Sequence, residues 1–75
     1  MDVTIFTGPG CTRCEKAKAF MTERGVSFVE RSVAGDPRAM EELIALGARM
    51  LPVIRIDGEV ISGFDPVVLG ALLNL

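Results

Sequence analysis

Two cysteines, Cys11 and Cys14, stand where an apolar run gives way to a helical pattern, and the chain has no others. That junction limits the available folds more than any other feature. Before it, Val3-Thr4-Ile5-Phe6 is β-branched and aromatic and too short for a helix, so it reads as a buried strand. Thr7-Gly8-Pro9-Gly10 reads as a loop. From Thr12 to about Arg24 a helix fits, with Cys14, Ala17, Phe20 and Met21 near one face. A thiol at a helix start meets unpaired N–H groups and the positive end of the macrodipole, and both favour thiolate. A second thiol one turn on lies on the same helix face, within reach of a disulfide. The pattern predicts thiol–disulfide exchange, with Cys11 as the exposed nucleophile and Cys14 as the more buried resolving thiol.

The rest of the chain alternates in the same way. Gly25 supplies a left-handed helix stop, and Val26 to Ser32 is expected to be a second strand. Asp36-Pro37 combines a side-chain N-cap with a proline at the first helical position. Met40, Leu43, Ile44 and Gly47 follow at helical spacing, and Met40, Leu43 and Ile44 are expected in the core. Pro52 to Ile56 and Glu59 to Ser62 flank Asp57-Gly58, a strong two-residue hairpin signal. Asp65-Pro66 repeats the helix-start device, with Val68, Leu69, Leu72 and Leu73 as the apolar face and the C-terminal leucines as core. The order is β-α-β-α-β-β-α. Strands joined through a helix should be parallel with a right-handed crossover, and the closing hairpin is antiparallel. The expectation is an α/β fold with a four-stranded mixed sheet and helices on both faces.

Composition narrows the function classes. A chain of 75 residues has room for one domain, residues 1–75, and 49% hydrophobic residues permit a core without staples. A disulfide closing so short a loop constrains little of the unfolded chain, so the cysteines read as chemistry more than bracing. A net charge of −2 with scattered Lys and Arg gives no footprint for nucleic acid. Met1-Asp2 runs straight into strand pattern, which argues against a signal peptide or membrane segment. A monomer in the cytoplasm is expected, where a Cys-x-x-Cys beside a βαβ pattern points to redox work. Structural zinc needs four ligands, and the chain has two cysteines and no histidine. No bound cofactor or metal is therefore expected. The alternative of another class is a dimer holding a cluster or soft metal through Cys11 and Cys14 of two chains.

The element order and the Cys-x-x-Cys after the first strand resemble the glutaredoxins, the minimal form of the thioredoxin fold. Leu51-Pro52-Val53 lies where that family has its cis-proline, and Ser62-Gly63-Phe64-Asp65 where it has a glycine-rich, acidic glutathione-binding turn. The resemblance covers essentially the whole chain. Typical members carry Pro-Tyr between the cysteines, where this chain has Thr12-Arg13. Many also have a lysine shortly before the first cysteine, where this chain has Thr7-Gly8-Pro9-Gly10. Ser-Gly-Phe at the turn is similar to the glutaredoxin-like redoxins that donate electrons to ribonucleotide reductase and are reduced by thioredoxin reductase. Small bacterial glutaredoxin-like proteins are similar around Ile56 to Ile61.

The resemblance implies reduction of protein disulfides, with thioredoxin reductase or glutathione as the electron source. It implies a cis bond between Leu51 and Pro52 that turns the Leu51 backbone toward an extended substrate; alternatively Pro52 simply starts a strand. Gly63-Phe64-Asp65 has two readings, a turn, staple and helix cap, or N–H donors and a carboxylate for glutathione with Phe64 facing a partner. Arg13 reads either as a solvated charge or as a guanidinium that favours the Cys11 thiolate and meets an acidic partner. Lys16 and Lys18 have weaker versions of that role, and Lys18 reads as solvated. Met50 is expected to rim the site because it lies near Pro52. Arg13 and Arg49 are the first candidates to replace the missing lysine.

Overall fold

The computed structural model describes residues 1–48 and 50–75. Arg49 lies outside the described residues. The elements are β1 (Val3–Thr7), α1 (Thr12–Glu23), β2 (Val29–Ser32), α2 (Pro37–Ala45), β3 (Val53–Ile56), β4 (Glu59–Ser62) and α3 (Pro66–Leu72). The sheet runs β2-β1-β3-β4. β1 pairs parallel with β2 and antiparallel with β3, which pairs antiparallel with β4. This is the expected mixed sheet, and helices cover both faces.

β1 lies inside the sheet and all five of its residues are buried. Successive side chains of a strand point to opposite faces, so β1 feeds two cores. Val3 and Ile5 join Ala17, Met21, Ile54, Ile56, Leu69 and Leu73 beneath α1 and α3. Phe6 joins Ala39, Leu43 and Val53 beneath α2.

Local signals set most boundaries. α1 stops at Arg24, after which Gly25 takes φ 71° and the last turn closes. The Gly25 N–H donates to the Thr22 carbonyl at 3.1 Å and the Val26 N–H to the Met21 carbonyl at 2.9 Å, the paired bonds of a Schellman stop. Asp36 and Asp65 each accept two N–H bonds at the starts of α2 and α3. At the hairpin, Asp57 takes φ 52°. Its N–H donates to the Asp2 carbonyl at 2.8 Å and its carboxylate accepts the Asp2 N–H at 2.9 Å.

The structure corrects the sequence reading in four places. β2 begins at Val29, because the Val26 N–H is spent closing α1. Thr7, read as loop, extends β1, pairs with Ser32 and accepts the Val33 N–H. On α2, Met40 and Ile44 are 41% and 68% exposed, whereas Ala39 and Leu43 are buried. So short a helix docks through one narrow stripe, and that stripe is centred one position before the predicted one. Near the C-terminus Leu69 and Leu73 are buried and Leu72 half-buried, but Val68 and Leu75 are exposed.

Candidate active site

Gly10, at φ 68°, turns the chain from β1 into α1. Cys11 is then the N-cap of α1, in extended backbone conformation, and its sulfur accepts the Cys14 N–H at 3.1 Å. Its carbonyl accepts the Glu15 N–H at 3.3 Å. A cysteine thus stands where serine or aspartate usually caps a helix, with its sulfur at the N–H groups. Cys14, one turn inside, is 1% exposed, whereas Cys11 is half-buried. The two form a disulfide across a Cα–Cα separation of 5.2 Å. Beside them an open depression of about 320 Å³ is lined by Gly10, Cys11, Thr12 and Glu15. A larger groove of about 510 Å³ between α1 and α3 includes neither cysteine, so size does not mark the chemistry here.

The loop before β3 faces this end of α1. The Leu51–Pro52 peptide bond is cis, as expected. The Pro52 carbonyl accepts the Gly63 N–H at 2.7 Å, which ties the loop to the β4–α3 turn. Residue 50 is clamped to Ser62, whose hydroxyl donates to the Met50 carbonyl at 2.6 Å and accepts the Met50 N–H at 3.3 Å. The side chains of Met50 and Leu51 pack against different neighbours. The Leu51 side chain packs with the α2 core and reaches Gly8, where an added Cβ would stand 2.9 Å from Leu51 Cδ1. Met50 Sδ accepts a bond from Arg13 Nη1 at 3.3 Å and lies 3.6 Å from where a Gly63 Cβ would stand. Gly63 takes φ 84°, a conformation that also favours glycine.

Arg13, Met50, Pro52 and Gly63 are therefore joined by direct contacts. Phe64 and Asp65 are engaged elsewhere. The half-buried Phe64 ring meets Phe20 edge to face at 5.7 Å, and Arg24 stacks 3.8 Å over the same Phe20. Asp65 Oδ1 accepts the Val67 and Val68 N–H groups at 3.0 and 3.3 Å.

Lys18, read as solvated, is instead held between two carboxylates. Its Nζ lies 3.1 Å from Glu15 and 3.1 Å from Glu30. Glu30 Oε2 also accepts the Thr7 hydroxyl at 2.8 Å. Bonds from Thr7 and then Lys18 hold the Glu30 carboxyl below its ordinary range, while bonds to Glu15 and Glu30 push the Lys18 ammonium up. Helical spacing predicts the contact between Glu15 and Lys18, which are one turn apart. It carries no signal for Glu30, which α1 meets only by crossing the edge strand. The Ser62 bonds to Met50 likewise carry no local signal, since the two lie twelve positions apart in sequence.

A four-stranded mixed sheet with a dithiol at the N-terminus of its first helix and a cis-proline loop beside it defines a thioredoxin-fold redox protein. The particular branch follows from comparison. The glutaredoxin family profile matches residues 3–61, and the chain belongs to that family. It is a thiol–disulfide oxidoreductase with Cys11 and Cys14 as its redox pair. It is 33% identical to a glutaredoxin-like 8.6 kDa protein of the rubredoxin operon of Clostridium pasteurianum, over 96% of this chain and 97% of that one. It is 33% identical to the glutaredoxin-like protein NrdH of Lactococcus lactis, over 93% and 97%. The structure of NrdH-redoxin from Escherichia coli superposes with a TM-score of 0.87 at 38% identity, covering 96% of this chain and 95% of that one. Among the described residues, no three His, Cys, Asp or Glu side chains gather as a metal site, and no helix is long and apolar enough to cross a membrane.

Proposed function

We propose that the reduced protein, a cytoplasmic monomer, transfers electrons to protein disulfides by a dithiol mechanism. The Cys11 thiolate attacks one sulfur of the substrate disulfide, forms a mixed disulfide and releases the other substrate sulfur as a thiolate. The Cys14 thiolate then attacks Cys11 Sγ, breaks the mixed disulfide, releases the second substrate sulfur as a thiolate and closes the Cys11–Cys14 bond. Two electrons pass to the substrate, and a reductant returns two to the pair. The observation that carries this assignment is the position of Cys11 Sγ at the cap of α1 with Cys14 buried behind it. The cap N–H that the sulfur accepts favours the thiolate of Cys11 over that of Cys14. Leu51 and Pro52 offer the backbone edge along which an extended substrate would lie.

The electron source in this reading is a thioredoxin-reductase-type flavoprotein. Arg13 is engaged by Met50, Asp65 by its helix cap, and Gly8 and Pro9 stand where a lysine would serve a glutathione carboxylate. The Escherichia coli NrdH-redoxin, a glutaredoxin-like protein with a thioredoxin-like activity profile, supports the same choice. The test is NADPH oxidation with the oxidised protein, using thioredoxin reductase in one arm and glutathione with glutathione reductase in the other. Faster turnover in the first arm is expected, and faster turnover in the second would overturn the choice of donor. Independently, Cys14→Ser should accumulate a mixed disulfide at Cys11, and Cys11→Ser should abolish exchange. An active Cys11→Ser protein would reverse the two roles.

A further inference from the structure

We infer that Met50 is a specificity-determining residue, a thioether partner of Arg13 that disfavours disulfides with anionic flanks. The inference rests on the Cys11 thiolate reading above and adds a determinant of what that thiolate accepts.

Ser62 and Arg13 hold the two ends of residue 50. Ser62 holds both backbone polar groups of residue 50 through one hydroxyl, so the origin of the side chain is set from the end of β4. Beside the sulfur, a Cβ at Gly63 would stand 3.6 Å away, at ordinary van der Waals distance. The far end of the side chain reaches Arg13 Nη1 at 3.3 Å. The Met50 side chain thus spans from the β4–α3 turn to the residue that directly precedes Cys14. It is 53% exposed, so an incoming chain meets it directly.

The chemistry of the pair sets its effect. A thioether is a weak acceptor, whereas a carboxylate bonds a guanidinium about twice as strongly as a neutral group does. Arg13 is itself exposed, and without Met50 it would present one more free N–H to anionic substrates. With Met50 in place, one N–H points at sulfur and an apolar, adaptable side chain faces the substrate instead. Among the described charged groups at this end of α1, Glu15 lines the depression beside Cys11 and is paired to Lys18, Lys16 is exposed further along the helix, and Arg13 is the cation that Met50 touches.

The test uses the reduced full chain and two small probes, 5,5′-dithiobis(2-nitrobenzoate), which is anionic, and cystamine, which is cationic. Second-order rate constants are measured for wild type, Met50→Ala, Arg13→Ala and the double variant. In Met50→Ala the anionic-to-cationic rate ratio should rise roughly three- to fivefold, the size of one exposed ion pair. In the Arg13→Ala background the same substitution should leave the ratio unchanged. An unchanged ratio in Met50→Ala, or an equal rise without Arg13, would overturn the inference. A Cys11→Ser protein that reacts as fast as wild type would instead overturn the thiolate reading beneath it.

Discussion

The two faces of the sheet are packed to different depths. Beneath α1 and α3, eight buried residues form one cluster, with Phe20, Val26, Phe28, Ile61, Phe64 and Leu72 partly buried against it. Beneath α2 the cluster has, among the described residues, four buried members, Phe6, Ala39, Leu43 and Val53, with Val33, Leu46, Ala48 and Leu51 partly buried against it. The thinner layer is supplemented at its edge by ion pairs, with Arg31 of β2 lying 2.7 Å from Glu42 and 3.5 Å from Asp36. Such part-exposed pairs contribute far less than buried apolar area. The buried cysteine rides on α1, on the thicker side, while Leu51 packs into the thinner one. The redox pair is therefore mounted on the better-packed layer, and the loop that faces it is anchored in the weaker one.

This asymmetry is open to direct challenge. Leu69→Ala should cost the most, about 3–4 kcal/mol, because a fully buried leucine leaves a cavity beneath α3. Chemical denaturation would show it as a large share of a total stability of roughly 5–10 kcal/mol. Leu43→Ala, at the slightly exposed margin of the α2 cluster, should cost about 2 kcal/mol in the same assay. Equal costs for the two would mean that the faces are equivalent in energy despite their difference in size.

Removing the cap of the thinner side, Asp36→Ala, should cost about 1 kcal/mol, since two N–H groups lose their acceptor and Arg31 loses one partner.

The smallest effect belongs to the Thr7–Glu30–Lys18 network. Glu30→Gln should cost about 0.5–1 kcal/mol at neutral pH, as befits a part-exposed pair. The Glu30 carboxyl is held below its ordinary range, so its contribution is complete above the unfolded carboxylate range and fades as pH falls through the folded value. The Lys18 ammonium is pushed up, so its contribution persists below the ordinary lysine range and is lost only as pH rises through its raised value. Denaturation midpoints of wild type and Glu30→Gln should therefore converge in acid and stay apart at neutral pH. Convergence at neutral pH would remove the network from the account of this edge.

Much of the architecture is local enough to be legible along the chain. Asp36-Pro37 and Asp65-Pro66 announce helix starts, Gly25 a helix stop and Asp57-Gly58 a two-residue hairpin. Each depends on backbone groups a few residues away. Cys11 at the head of α1 is legible for the same reason, because the N–H that its sulfur accepts comes from Cys14 in the next turn. What tertiary structure alone decided lies between residues distant in sequence. Lys18 meets Glu30 because α1 crosses the sheet edge, and Met50 meets Arg13 and Gly63 because the loop before β3 folds against the start of α1 and the β4–α3 turn. Met40 and Ile44 are exposed because the docking angle of α2 selects one stripe of its apolar residues, an angle set by the sheet beneath it. Hydrogen-bond geometry within one turn is written in neighbouring residue types, whereas the meeting of distant side chains depends on where whole elements come to rest.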